Sequence, residues 1–191
     1  MIINKKALNF KKQIRNLSSV QSLVLCAFFV AIYIVLYFCN IKLTSDIQFR
    51  PGYLAIAAAG MYGGPIMGAL TGAVGDVLSM LVTGGQGEVF FFGFTVSYTL
   101  MGFFFGLVLH GGPITAARGI AAALVEFLVS LFVNTYWLMI MYYSGQNYLA
   151  LMVTRIPKCL IMLAISSVVL TIIMKALYTA FSRARFLPEY K

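Results

Sequence analysis

Charge is scarce in this chain. Only 10% of its 191 residues are charged, 5 of them acidic, and it has one histidine and one tryptophan. Soluble domains carry roughly 25% charged residues, and a chain this long has too much surface for so few to cover. Lipid must cover the rest. The other absences exclude chemistry. The sole histidine, His110, stands beside Gly111-Gly112-Pro113, and neither Gly-x-Ser-x-Gly nor His-Glu-x-x-His occurs. No P-loop is present either, so any ATP hydrolysis must reside in a partner, and the chain is not expected to be an enzyme. Cys26, Cys39 and Cys159 have no metal-ligand spacing, and the first two fall in or at the end of one apolar run. Neither a disulfide framework nor a metal site is expected, and no cofactor.

Apolar residues make up 61% of the chain. No formal charge falls between Arg15 and Lys42, between Arg50 and Asp76, or between Glu126 and Arg155, and between Glu88 and Arg118 only His110 can change its charge near neutral pH. A helix crossing a bilayer needs about 20 mostly apolar residues, so each stretch can hold a crossing. Punctuated by glycine, proline and charge, the runs predict spans at about 18–40, 52–62, 66–82, 91–109, 116–143 and 156–178. The expected fold is an all-α membrane protein, six transmembrane helices in one bundle with both termini cytoplasmic. The expected divisions are a basic N-terminal segment (1–17), a membrane domain (18–181) and a C-terminal tail (182–191). The first run is too long for a signal-peptide core and has no small-x-small cleavage site, so it is read as a retained helix.

The net charge of +9 raises the question of nucleic acid, but its placement answers it. Lys5, Lys6, Lys11, Lys12 and Arg15 precede the first span, and Lys175, Arg183, Arg185 and Lys191 close the last. With Arg118, ten of the fourteen Lys and Arg fall on the side assigned to the cytoplasm, which is the positive-inside pattern. No aromatic-interleaved basic groove accompanies it.

Several motifs admit two readings. Gly60, Gly64, Gly68 and Gly72 recur every four residues, as in closely packed membrane helices. Ala27 and Ala31 form a second small-x-x-x-small pair, read either as internal packing or as a groove for a partner helix. Asp76 and Glu126 are ionisable groups at membrane depth, each a functional group or a structural anchor. At the outward end, Arg50, Gln86, Phe94, Thr95, Tyr98, Asn134, Thr135, Trp137, Arg155 and Lys158 combine aromatic faces, amides and cations. Such a set suits a flat heteroaromatic ligand with an anionic tail: a ring stacks on Trp137 or Phe94, Asn134 meets its edge, and Arg155 grips a carboxylate. The competing reading is an interfacial aromatic belt with snorkelling cations.

Over nearly its whole length the chain resembles the substrate-capture subunits (S components) of energy-coupling-factor vitamin transporters. The resemblance rests on six spans, Ala27-x-x-x-Ala31, and Tyr62-Gly63-Gly64-Pro65 leading into Gly68, Gly72 and Asp76. Phe92-Gly93-Phe94-Thr95, Asn134-Thr135-Tyr136-Trp137-Leu138 and Arg155-Ile156-Pro157-Lys158 are similar to the folate-specific branch. Where family members often have proline before Gly-Phe-Thr, this chain has Phe92, and its sixth span is without the proline and glutamine expected there. The resemblance implies capture of folate, or of a sibling vitamin, at the outer face. It implies docking through Ala27 and Ala31 onto a transmembrane coupling protein that carries two ATP-binding-cassette ATPases. Release would follow toppling of the subunit in the bilayer. The alternative is an ion-coupled secondary transporter using Asp76 or Glu126, although no inverted repeat relates their surroundings.

Overall fold

The structure, a computed structural model, describes residues 5–42, 48–84, 90–143, 145 and 147–183. Within them the chain is helical apart from turns and one small ladder. After a short 3-10 turn (Lys5–Leu8) and the amphipathic α1 (Phe10–Leu17) come α2 (Val20–Phe38), α3 (Tyr53–Gly63), α4 (Pro65–Thr83) and α5 (Phe92–Leu109). A continuous helical run follows: α6 (Ala116–Leu128), a π-helical segment (Val129–Asn134) and α7 (Thr135–Tyr142). The last helix is α8 (Tyr148–Arg183). Between α2 and α3, β1 (Ile41–Lys42) pairs antiparallel with β2 (Gln48–Phe49), Ile41 opposite Phe49. Among the described residues, five helices are long and apolar enough to cross a membrane: α2, α4, α5, the run from α6 to α7, and α8.

The run expected at 52–62 forms a helix, but a short one. The 11 residues of α3 rise only about 16 Å, half of a hydrocarbon core of about 30 Å. One expectation is corrected outright. The spans at 116–143 and 156–178 predict a loop between them and a final helix opening near 156, yet α8 begins at Tyr148 and runs 36 residues straight through Pro157. A proline inside a helix removes one donor and crowds one carbonyl, a local cost that the flanking apolar turns outweigh. In membrane helices such interruptions are tolerated because neighbours re-satisfy the freed groups.

The glycines at four-residue spacing do pack helix against helix. Gly68 of α4 and Gly102 of α5 face each other so closely that a Cβ on either would strike the other's carbonyl, and a Cβ on Gly72 would strike the Tyr98 backbone. Gly60 of α3 meets the backbone of Gly106 in the same way. This is dispersion through close backbone approach, the means available where lipid offers no hydrophobic drive. Gly64 (φ 85°) ends α3 in the left-handed region, and Pro65 starts α4. That order is favoured because glycine accepts positive φ and proline needs no amide partner at a helix start.

Both described chain ends lie at the same end of the bundle, called basal here. Phe10 stacks on Phe103 with centroids 5.9 Å apart, and Gln13 sits against Gly64. Phe181 of α8 meets Tyr62 and Phe29 edge-on. Two side chains satisfy the open carbonyls that helix C-termini leave. His110 Nδ1 lies 3.1 Å from the Met61 carbonyl. Arg118 donates to three carbonyls: Val108 at 2.9 Å, His110 at 2.8 Å and Pro113 at 3.1 Å. A cation there also opposes the negative end of the α5 dipole. Arg118→Ala is therefore expected to cost on the order of 3 kcal/mol and to lower the melting temperature in detergent by several degrees. An unchanged melting curve would mean that these carbonyls find other donors.

Candidate functional site

Because α3 stops half-way, the space beyond its N-terminus is not filled by helix. A cavity of about 370 Å³ occupies it, within the range of about 300–1,000 Å³ usual for small-molecule sites. Its lining comes from α5 (Phe94, Tyr98), from the α6–α7 run (Glu126, Ser130, Asn134), from α8 (Arg155, Lys158, Cys159), and from Arg50 and Tyr53 where the ladder meets α3.

Depth sorts these groups by chemistry. Tyr53 stands ten residues above the basal end of α3, and Glu126 ten residues above the start of α6. Each is thus about 15 Å up by helical rise, and together they form the floor. Ser166 of α8 is fully buried beside both, close to each but outside hydrogen-bonding geometry. Arg155 lies eleven residues nearer the opposite end of α8, about 16 Å higher, with Lys158 one turn below it. The mouth is cationic, the walls aromatic, and the floor rich in acceptor oxygens.

The π-helical segment delivers Ser130 and Asn134 to the wall. One extra residue per turn rotates the helix beyond it relative to the helix before it, and such bulges concentrate at functional sites. Tyr148 Oη donates to the Phe132 carbonyl within the segment at 3.1 Å. Arg155 Nη1 donates to Thr135 Oγ1 at 3.0 Å, which ties the guanidinium to α7.

Of the residues singled out from sequence, Arg50, Phe94, Tyr98, Asn134, Arg155 and Lys158 line the cavity. Three others stand behind its wall. Thr95 is buried and donates to Asp76 Oδ2 at 2.6 Å, so Asp76 anchors α4 to α5. Thr135 is fully buried and holds Arg155. Trp137 packs edge-on against Phe91 and Tyr136, with centroids at 5.7 and 5.1 Å, over Gly93, where a Cβ would collide with both Phe91 and Trp137. Gln86 lies outside the described residues. Ala27 and Ala31 are exposed on α2, on a stripe with Val24, Phe28 and Val35. Sequence reasoning missed Tyr53 and Ser130 and left Glu126 open between a functional group and a structural anchor. The available signal for Tyr53 was its place just after Pro51-Gly52 at the start of an unusually short apolar run.

Three buried side-chain oxygens of the lining have no hydrogen-bond partner among the described residues: Tyr53 Oη, Glu126 Oε2 and Asn134 Oδ1. Buried polar atoms are nearly always paired. Three unpaired ones around a single cavity fit a site that completes its hydrogen bonding with a ligand.

Long apolar helices around one polar-floored cavity make this a multi-pass membrane protein built to bind a small molecule. More specifically, the chain belongs to the family described as ECF transporter, substrate-specific component, which matches residues 21–174. It is 30% identical over 156 residues to the folate transporter FolT of Clostridium novyi (strain NT), covering 81% of this chain and 88% of that one. A crystal structure of FolT bound with folic acid superposes with a TM-score of 0.67 at 26% identity, covering 78% of this chain and 89% of that chain. ThiT from Listeria monocytogenes shares the fold, with a TM-score of 0.57 at 14% identity over 87% of this chain and 97% of that one.

Proposed function

We propose that this protein captures folate for an ATP-driven importer. The observation that carries the reading is the sorted cavity, with Arg50, Arg155 and Lys158 at its mouth and Phe94 and Tyr98 on its wall. Folate is a flat pterin joined through a benzoyl group to glutamate. The glutamate carboxylates suit the cations, Arg155 in bidentate fashion, and the rings suit the aromatic wall. Likeness to the two FolT proteins supports the same ligand. Thr95, Thr135 and Trp137 would serve by holding the wall rather than by touching the ligand, and Gln86 is proposed as a further ligand contact.

In this reading the short α3 counts as a sixth crossing, completed by the ladder. The basal end and both termini face the cytoplasm, and the cavity opens outside the plasma membrane. The positive-inside bias supports that orientation. Residues 1–17 and 182–191 are then cytoplasmic segments flanking the membrane domain. Ala27 and Ala31 dock a transmembrane coupling protein bearing two ATPases, and ligand is released inside after the subunit topples.

Calorimetric titration of the purified protein in detergent with folate, pantothenate, riboflavin and thiamine tests the ligand. Tight binding of folate alone is expected; a response to another vitamin instead would overturn the choice of folate. Arg155→Ala is expected to weaken folate binding by about 30-fold, the lower end of what losing a buried charge partner costs. Unchanged affinity would remove Arg155 from the site.

A further inference from the structure

The cavity floor contains a carboxyl group with an oxygen that finds no hydrogen-bond partner among the described residues. Glu126 makes no ion pair among the described residues, and its Oε2 is buried without a hydrogen bond. A carboxylate held at membrane depth is costly unless it is paired, so the group calls for a donor from outside the chain. Tyr53 Oη, also buried without a hydrogen-bond partner among the described residues, lines the same floor.

Two kinds of ligand group could supply that donor: a cation or a pair of neutral N–H groups. The rest of the cavity decides between them. Among the described lining residues three cations, Arg50, Arg155 and Lys158, stand with this one acid, a balance that favours an anionic over a cationic ligand. A neutral head carrying an anionic tail is attracted. Two carboxyl oxygens in one plane match a planar ring edge that presents two adjacent N–H donors, by the geometry that pairs carboxylates with guanidinium forks. A 2-amino-4-oxo-pterin has such an edge in its ring N–H and 2-amino group.

We infer that Glu126 is the specificity residue of this site, reading the amino and ring N–H edge of a pterin seated head-down on the floor, with Tyr53 completing the contact. The inference rests on the folate reading and adds orientation and discrimination to it. The pterin lies deep between Phe94, Tyr98 and the floor, and the glutamate rises about 16 Å up α8 toward Arg155. A ring without the amino donor leaves the Glu126 oxygen unpaired and is rejected, as sites built to hydrogen-bond a group reject analogues that lack it.

The test uses two ligands, folate and an analogue whose 2-amino group is replaced by methyl, on the wild-type protein and on Glu126→Gln. Wild type is expected to bind the analogue at least 30-fold more weakly than folate. In E126Q, which keeps the volume but turns an acceptor into a donor, folate should lose at least 10-fold. The analogue should change less than 3-fold, which also reports that the variant is folded. Should E126Q not survive purification, Glu126→Asp keeps the carboxylate and is expected to preserve the preference for folate. Equal affinity of wild type for the two ligands, undiminished discrimination in E126Q, or its loss in E126D would each overturn the role of Glu126. Failure of wild type to bind folate at all would overturn the folate reading itself, and so is distinguishable from these.

Discussion

Gly68→Ala, a single added methyl, is expected to destroy the bundle as an isolable species. The Cβ would meet the carbonyl carbon and oxygen of Gly102, and the reciprocal change, Gly102→Ala, would meet those of Gly68. Both obstacles are backbone, so no rotamer change relieves them, and α4 and α5 must move apart. Two further close approaches lie on the same surfaces, Gly72 against the Tyr98 backbone and Gly106 against Gly64 and Pro65. Separating the helices at Gly68 opens these as well, since packed interfaces do not deform locally. The expected loss is on the order of 4 kcal/mol or more, in the overpacking tail of substitution effects. Gly84→Ala is the control. Unlike Gly68 and Gly102, Gly84 has positive φ (62°), but a Cβ there meets nothing within 4 Å, so only the left-handed cost of about 1–2 kcal/mol applies. Size-exclusion profiles and melting curves in detergent separate the cases: Gly84→Ala should elute and melt near wild type, while Gly68→Ala and Gly102→Ala should aggregate. Wild-type melting of Gly68→Ala would mean that α4 and α5 are not held by this contact. The effect reaches the site because Phe94 and Tyr98 of the cavity wall belong to α5.

The same physics explains how much of this could be read from sequence. Charge-free runs located every long helix to within a residue or two at most ends, because lipid tolerates little else. The glycine spacing foretold close helix packing, because close approach has only one chemical solution, but not that α5 is the partner. Three features stayed hidden. The helix at 52–62 was legible, but its consequence was not: a half-length helix leaves a void only if no neighbour fills it, which is a property of the whole bundle. The π-helical segment at Val129–Asn134 gave no local signal, since its residues would serve equally well in an α-helix; yet it sets which side chains reach the cavity. Pro157 suggested a helix start, whereas the apolar turns from Tyr148 onward carry the helix through it. Asp76 illustrates the limit for site residues. Sequence marked it as a costly buried charge but could not reveal the Thr95 hydroxyl at 2.6 Å that makes it an anchor, while the Oε2 of Glu126, equally conspicuous, has no such partner among the described residues.

Leucine at both Ala27 and Ala31 is expected to leave folate affinity within about twofold of wild type and to reduce ATP-driven uptake to background. The two effects should separate because α2 has two sides. Phe29, Tyr33 and Tyr37 are buried against the rest of the bundle, and Tyr33 meets Tyr98 of the cavity wall edge-on at 6.1 Å. Ala27 and Ala31 face away, on an exposed apolar stripe that includes Val24 (61% exposed) and Phe28 (55% exposed). In lipid such a stripe gains nothing by being covered with more apolar surface. Association must come from close packing, and only a small pair one turn apart admits another helix backbone to that distance. Leucine fills the dent, keeps the segment apolar enough to insert, and forces a docked helix outward by more than the range over which dispersion acts. A more polar replacement would confound docking with insertion; leucine does not. Calorimetry on the purified variant, co-purification with the coupling protein and its ATPases, and uptake in proteoliposomes give three independent readings. Intact binding with lost co-purification and lost uptake is the expected pattern. Normal uptake would move the docking surface elsewhere on the bundle, and lost binding would mean that the outer face of α2 is coupled to the cavity through Tyr33 and Tyr98.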